Sequence, residues 1–189
     1  MLVYTFNSME NNMKIIVLTG SPRKDSNSNI LADEFIRGAA ENGHEIFRFD
    51  AAHAKVHPCI ACNKCHKDGP CVFQDDFLKV REHILPADLV AFVSPLYWVG
   101  FDAQIKTVID RFYSIDKKLH APKQAVLLST HMNTVEEPNL PLALTYKAIL
   151  NYLGWQDRGI IQAGGLEEAG LIRNTEFPKM AYELGKSLA

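Results

Sequence analysis

The chain has 189 residues, a formal net charge of -2, 47% hydrophobic residues and 22% charged residues. That length suits one compact domain with a full core. The near-balance of charge gives no electrostatic reason to expect nucleic acid or an anionic membrane as partner, and no apolar run reaches the roughly 18 residues of a membrane span.

The first 12 residues carry Glu10 and lack a basic stretch followed by an apolar one, so they do not read as a signal peptide. They are expected to be an N-terminal extension with no part in the chemistry, ahead of a single domain over 13–189. From Lys14 to Thr19 the chain is a short apolar run, as a strand buried on both faces should be. A polar, turn-rich stretch over 20–29 follows. From Ile30 apolar residues recur at helical spacing through Leu31, Phe35, Ile36, Ala39 and Ala40, until Asn42-Gly43 supplies a stop signal. Residues 44–50 alternate and read as a second strand.

A cysteine-rich insertion occupies 53–75. Asp75 and Asp76 can then cap a helix carrying Phe77, Leu78, Val80 and Ile84. The pattern continues with a strand over 87–94, an amphipathic helix over 104–113 and a strand over 125–130. A helix over 142–153 ends at Gly154, a fifth strand covers 155–163, and a last helix covers 176–188. Five strands interleaved with five helices predict an α/β fold of three layers, a parallel sheet with helices on both faces. Ligands of such folds bind beyond the carboxyl ends of the strands, at a switch in strand order. The loops after the first, third and fourth strands are therefore where chemistry should be sought.

The first of these loops holds Ser21, Arg23, Ser26, Asn27 and Ser28 and runs into a helix. A helix start offers free N–H groups and the positive end of its dipole, which suits a phosphate. Short hydroxyl and amide side chains add donors, and Arg23 adds charge. Neither G-x-G-x-x-G nor G-x-x-x-x-G-K-[ST] is present, which leaves out the dinucleotide fingerprint and the ATP loop. The alternative is a solvated turn with a serine helix cap. In the second loop, a strand that turns at Pro95 presents Leu96, Tyr97 and Trp98 at the sheet edge, where backbone N–H groups and aromatic faces can meet a flat ligand. The alternative there is that Tyr97 and Trp98 are core residues.

Gly20-Ser21-Pro22-Arg23 followed by Ser26-Asn27-Ser28 resembles the FMN phosphate loop of the NADPH-dependent FMN reductases. Ser94-Pro95-Leu96-Tyr97-Trp98-Val99-Gly100, then Gln104, Lys106 and Asp110-Arg111, is similar to that family's flavin-ring loop and following helix. The resemblance runs from Met13 to the C-terminus. It implies a flavodoxin-like strand order 2-1-3-4-5, FMN held without a covalent link, NAD(P)H as electron donor, and a homodimer or homotetramer. It also implies that Pro95, Leu96, Tyr97, Trp98 and Gly100 border the isoalloxazine, and that Lys106, Asp110 and Arg111 pack or pair at a subunit interface. The third loop, with Ser129 and His131, should approach the other edge of the ring. His131 is there either to stabilise negative charge on reduced flavin or as a structural histidine.

All four cysteines fall within 13 residues, as Cys59, Cys62, Cys65 and Cys71 in the pattern C-x2-C-x2-C-x5-C. A chain of this size without a secretory signal needs no disulfide staple, so the bunching points to a ligand set or redox device in a reducing cytoplasm. Thiolates at this spacing can wrap one [4Fe-4S] cluster, and the spacing resembles that of the iron–sulfur flavoproteins. Free thiols packed beside the flavin stand as an equal reading, and zinc, which prefers separated C-x2-C knuckles, as a lesser one. The expected function is electron transfer from NAD(P)H through FMN to a quinone, free flavin, nitro compound or protein. The rivals are an iron–sulfur electron carrier served by a ferredoxin-like donor, and a flavin-binding sensor without turnover.

Overall fold

A computed structural model of the protein describes residues 12–67, 69–134 and 140–188. Of the expected N-terminal extension, residues 1–11 lie outside the described residues. The chain alternates β1 (Lys14–Thr19), α1 (Asn27–Glu41), β2 (Glu45–Asp50), the short α2 (Lys64–Lys67), α3 (Phe77–Ile84), β3 (Leu89–Tyr97) and β4 (Gly100–Phe101). It continues with α4 (Ala103–Arg111), a 3-10 turn over Phe112–Ile115, α5 (Asp116–Leu119), β5 (Gln124–Thr130), α6 (Leu140–Leu153), β6 (Gln156–Ala163) and α7 (Phe177–Lys186).

The main strands are parallel in the order β2-β1-β3-β5-β6, with β4 paired antiparallel to β3. Counted over the five main strands, this is the 2-1-3-4-5 order that the resemblance implied. Alternation along the strands splits the core into two layers. Ile16, Leu18, Phe92 and Leu127 face α3, α4 and α6, while Ile15, Val17, Ala91 and Leu128 face α1 and α7. Both faces are thus dry, which explains why β1 and β3 read as unbroken apolar runs. Gly38 and Gly185 let α1 and α7 touch: a Cβ at Gly38 would sit 2.1 Å from the Tyr182 carbonyl oxygen.

Two boundaries differ from the sequence expectation, each for a local reason. Helix α1 starts three residues earlier than the apolar period does, because Ser26 caps it by accepting from the Asn29 N–H at 3.1 Å. The third strand runs on to Tyr97 and folds back as a two-residue hairpin, pairing Leu96 with Phe101 and Tyr97 with Gly100. Its central residues Trp98 and Val99 take φ of 47° and 59°. Turns of this hand favour Asn-Gly, and a β-branched residue at positive φ is strained. Val99→Gly is therefore expected to stabilise the fold by about 1 kcal/mol in urea titration, the relief of strain outweighing the added chain entropy.

Candidate functional site

The three expected loops meet at the carboxyl edge of the sheet, where β1, β3 and β5 lie side by side. The Gly20 N–H donates to the Val93 carbonyl at 3.0 Å, and Ser94 and Pro95 stand in register with Ser129 and Thr130. Gly20 approaches α4 so closely that a Cβ would fall 1.9 Å from Asp102 Oδ2. Asp102 is the hub of this edge. It caps α4 by accepting from the Ile105 N–H at 3.0 Å, accepts from the Ser94 hydroxyl at 2.7 Å, and donates its own N–H back to Ser94 Oγ at 3.0 Å. Burial pushes its carboxyl above the usual carboxylate range, although the Ile105 N–H and Ser94 hydroxyl pull the other way. Its only sequence signal is an acidic residue just before an amphipathic helix, which reads as a cap and nothing more.

The first loop fits a phosphate. Ser21, Ser26, Asn27, Ser28 and Asn29 are all buried, a dense polar set at a helix start, while Arg23 is exposed. Much of this set is internally engaged. Ser26 Oγ lies 3.3 Å from Ser28 Oγ, and the Asn29 amide donates to the Arg23 carbonyl at 2.8 Å. The Asn27 side chain donates to the Glu168 carbonyl and accepts from the Ile172 N–H, tying α1 to the segment before α7. As first-turn residues, Asn27 and Ser28 direct N–H groups with no intrahelical acceptor, and no other acceptor is found for them among the described residues. The donors left for a phosphate are thus mainly backbone N–H groups.

The second and third loops differ in exposure. Pro95, Leu96 and Gly100 are half-buried, Tyr97 is exposed, and Trp98 is 99% exposed at the tip of the strained hairpin. Ser129 Oγ is buried and has no hydrogen-bond partner among the described residues. A buried hydroxyl in that state is costly unless a ligand satisfies it. His131 is buried against Gly164, where a Cβ would come within 2.6 Å of its ring. Burial holds the imidazole below its usual range, with only partial opposition from a backbone hydrogen bond to Asn133. It is therefore a neutral ring at neutral pH, a dipole and not a charge.

The cysteine segment folds against α3 and the end of α4. Ala61 and Asn63 adopt φ of 52° and 56°, curling the chain around Cys62. Cys59 and Cys62 are exposed, whereas Cys65 and Cys71 are half-buried. All four border one small cavity. Among the described residues no three His, Cys, Asp or Glu side chains are placed to hold a metal ion. Burial also pushes the Cys65 thiol up, and the neighbouring Cys71 adds to this. Four thiols around one void are the donor chemistry that a [4Fe-4S] cluster takes.

Arg111 holds this segment down, and here the structure corrects the expectation of a subunit-interface role. Its side chain is 1% exposed within a single protomer. It donates to Asp75 Oδ2 at 2.7 Å, to the His57 carbonyl at 2.9 Å and to Cys71 Sγ at 3.4 Å, and lies over the Phe77 ring. Lys106 and Asp110 pair with each other along the exposed side of α4. Asp76 is the N-cap residue of α3 but its side chain accepts from the Lys55 N–H, and it is Asp75, one residue earlier, that accepts from the Phe77 N–H. Burial alone would raise the Asp75 carboxyl, but the Arg111 hydrogen bond, then the His57 and Phe77 N–H groups, outweigh it and hold it below the usual range.

A group with a depressed folded value binds fewer protons folded than unfolded. Its stabilisation is present above the unfolded value, about pH 4, and fades as pH falls through the folded value. The urea midpoint should drop more steeply below about pH 4 in the wild-type chain than in Asp75→Asn.

The sequence profile of the family described as NADPH-dependent FMN reductase matches residues 13–139, which contain all three loops up to Thr134 and the cysteine segment. The chain belongs to the NADPH-dependent FMN reductase family. An iron–sulfur flavoprotein of Methanocaldococcus jannaschii is similar to this FMN reductase family member, with 36% identity over 99 residues, 52% of this chain and 51% of that protein. A candidate NAD(P)H-dependent FMN-containing oxidoreductase of Bacillus subtilis is 25% identical, over 92% of this chain and 97% of that protein. The chain spans about half the length of the iron–sulfur flavoproteins it matches. Among solved structures, an NAD(P)H:quinone oxidoreductase from Methanothermobacter marburgensis superimposes with a TM-score of 0.72 at 20% identity, covering 93% of this chain and 95% of that one. At that identity it supports the flavodoxin-like fold alone.

Proposed function

We propose that this FMN reductase family member is an FMN-dependent oxidoreductase that takes electrons from NAD(P)H and passes them to a small-molecule acceptor such as a quinone or flavin. The observation that carries the reading is the meeting of three loops at the carboxyl edge, with free first-turn N–H groups at one end and the unpaired Ser129 hydroxyl at the other. FMN, when bound, supplies the hydride and electron chemistry. The chain supplies position. In this reading the Asn27 and Ser28 N–H groups and the α1 dipole hold the phosphate, with Ser21, Ser26 and Arg23 around them.

Pro95, Leu96, Tyr97, Trp98 and Gly100 border the ring, and the strained Trp98-Val99 turn presents its own N–H groups there. Strain at such a turn is characteristic of a functional edge. Ser129 Oγ donates to the ring edge. His131, held neutral, offers a hydrogen bond to charge that develops on the ring instead of a full counter-charge. Asp102 keeps the phosphate loop and the ring loop as one unit. Anaerobic mixing of the FMN-loaded protein with NADPH, and separately NADH, should bleach the flavin band. No bleaching by either sinks the reductase reading.

The same reading places the protein in the cytoplasm as a homodimer or homotetramer. No helix among the described residues is long and apolar enough to cross a membrane. The exposed Tyr113 and Tyr152 line an open apolar groove of about 680 Å³, which supports self-association. The rival carrier reading rests on the four thiols gathered around one cavity and on the names of the iron–sulfur relatives. Iron and sulfide in equal amounts in anaerobically purified protein would establish it, and absence of both removes it.

A further inference from the structure

A cavity of about 610 Å³ opens between the cysteine segment, α3 and the 3-10 turn that follows α4. That size is typical of small-molecule sites. Its charge is one-sided although the whole chain carries -2. Arg81, Lys117 and Lys118 line it, and none of the three has an ion-pair or side-chain hydrogen-bond partner among the described residues. Asp116 is the one acid among the described lining residues, and its carboxylate is engaged elsewhere, with His120 at 3.5 Å and the Tyr152 hydroxyl at 3.3 Å. Asp68, within the same stretch of chain, lies outside the described residues. Phe73, Phe77 and Tyr113 supply flat apolar wall.

Arg111 forms the inner wall. Two of its nitrogens are satisfied by the cysteine segment, and its buried Nε has no hydrogen-bond partner among the described residues. Unpaired cations around a cavity of this size, beside flat apolar walls, are what a site for an organic anion requires.

We propose that this cavity is a second ligand site, for a small organic anion with an aromatic or apolar body and a carboxylate or phosphate group. The site is separate from the flavin loops. Arg111 and the Asp102 hub stand at opposite ends of α4, nine helical residues and about 13 Å apart. A molecule bound there lies against Cys65 and Cys71, and bridges the cysteine segment to residues 111–118. Occupancy therefore clamps that segment onto the domain.

The test uses the FMN-loaded protein and three probes of one shape: salicylate, phenyl phosphate and neutral phenol. Calorimetric titration should show one saturable site for at least one of the two anions and none for phenol, and the better anion identifies the head group. Lys117→Ala/Lys118→Ala, on an exposed rim remote from the flavin loops, should weaken that anion about tenfold. Amide exchange over 111–118 should slow when the anion is bound. Equal binding of phenol, unchanged affinity in the double variant, or protection over 21–29 in place of 111–118 would each overturn the proposal. Flavin bleaching by NAD(P)H is read separately on the same sample, so failure of the anion site and failure of the reductase reading are distinct results.

Discussion

Arg111→Ala is expected to cost about 3–5 kcal/mol of folding stability, measured as the loss in urea unfolding free energy at neutral pH. The magnitude follows from what the guanidinium leaves behind. Asp75 is 7% exposed on its side chain and would keep a buried negative charge with its cation gone. The His57 and Phe73 carbonyls and the Cys71 thiol lose a donor at the same time. The segment over 53–75, which has few apolar contacts of its own, should then be cut by trypsin far faster than in the wild-type chain. Arg111→Lys should recover part of the stability, because one ammonium cannot reach all these acceptors in the fork geometry of a guanidinium. A loss below about 1 kcal/mol in Arg111→Ala, the scale of an exposed pair, would show that the pair is solvated and the clamp is wrong.

The second large effect is on the flavin. Gly20→Ala places a methyl group where Asp102 Oδ2 now stands, at 1.9 Å. Asp102 cannot swing aside cheaply, since its two oxygens are held by the Ile105 N–H and the Ser94 hydroxyl in a fully buried setting. The phosphate loop must retreat instead. Overpacking of this kind costs about 1–3 kcal/mol. Where that cost falls on the ligand-bound loop geometry, FMN affinity drops about 10- to 100-fold. Fluorescence titration of the apoprotein with FMN reads this directly. An affinity within twofold of wild type would mean that the loop over 20–29 does not carry the phosphate.

The two variants also separate the halves of the molecule. Gly20→Ala should leave the cysteine segment intact, and Arg111→Ala should disturb that segment first. Their sites lie at opposite ends of α4, far enough apart for the stability effects to add.

Much of the fold was legible because both sheet faces are covered. Runs such as Ile15-Ile16-Val17-Leu18 and Leu89-Val90-Ala91-Phe92-Val93 are apolar on every residue only when helices lie on both sides, and β1 and β3 appeared where those runs stand. The hairpin after β3 was not legible. Its turn residues are Trp98 and Val99, which no turn preference favours, and only pairing of Leu96 with Phe101 forces the positive φ angles. Arg111 was misread for a related reason: on a helix surface an Asp-Arg pair reads as exposed, and nothing local says that one of the two turns inward. Asp102 went unnoticed because its contact with Gly20 spans 82 residues of chain.

What the sequence alone determined is the order and burial of the strands, the helix-start polarity of the 20–29 loop, and the family. These depend on local period, capping and spacing, which neighbouring residues carry between them. Tertiary structure alone decided that Asp102 joins two loops, that Ser129 keeps an unmet hydroxyl, and that Arg111 binds the cysteine segment beside a cationic cavity. Each of those depends on groups distant in the chain being desolvated together, and desolvation is a property of the packed fold.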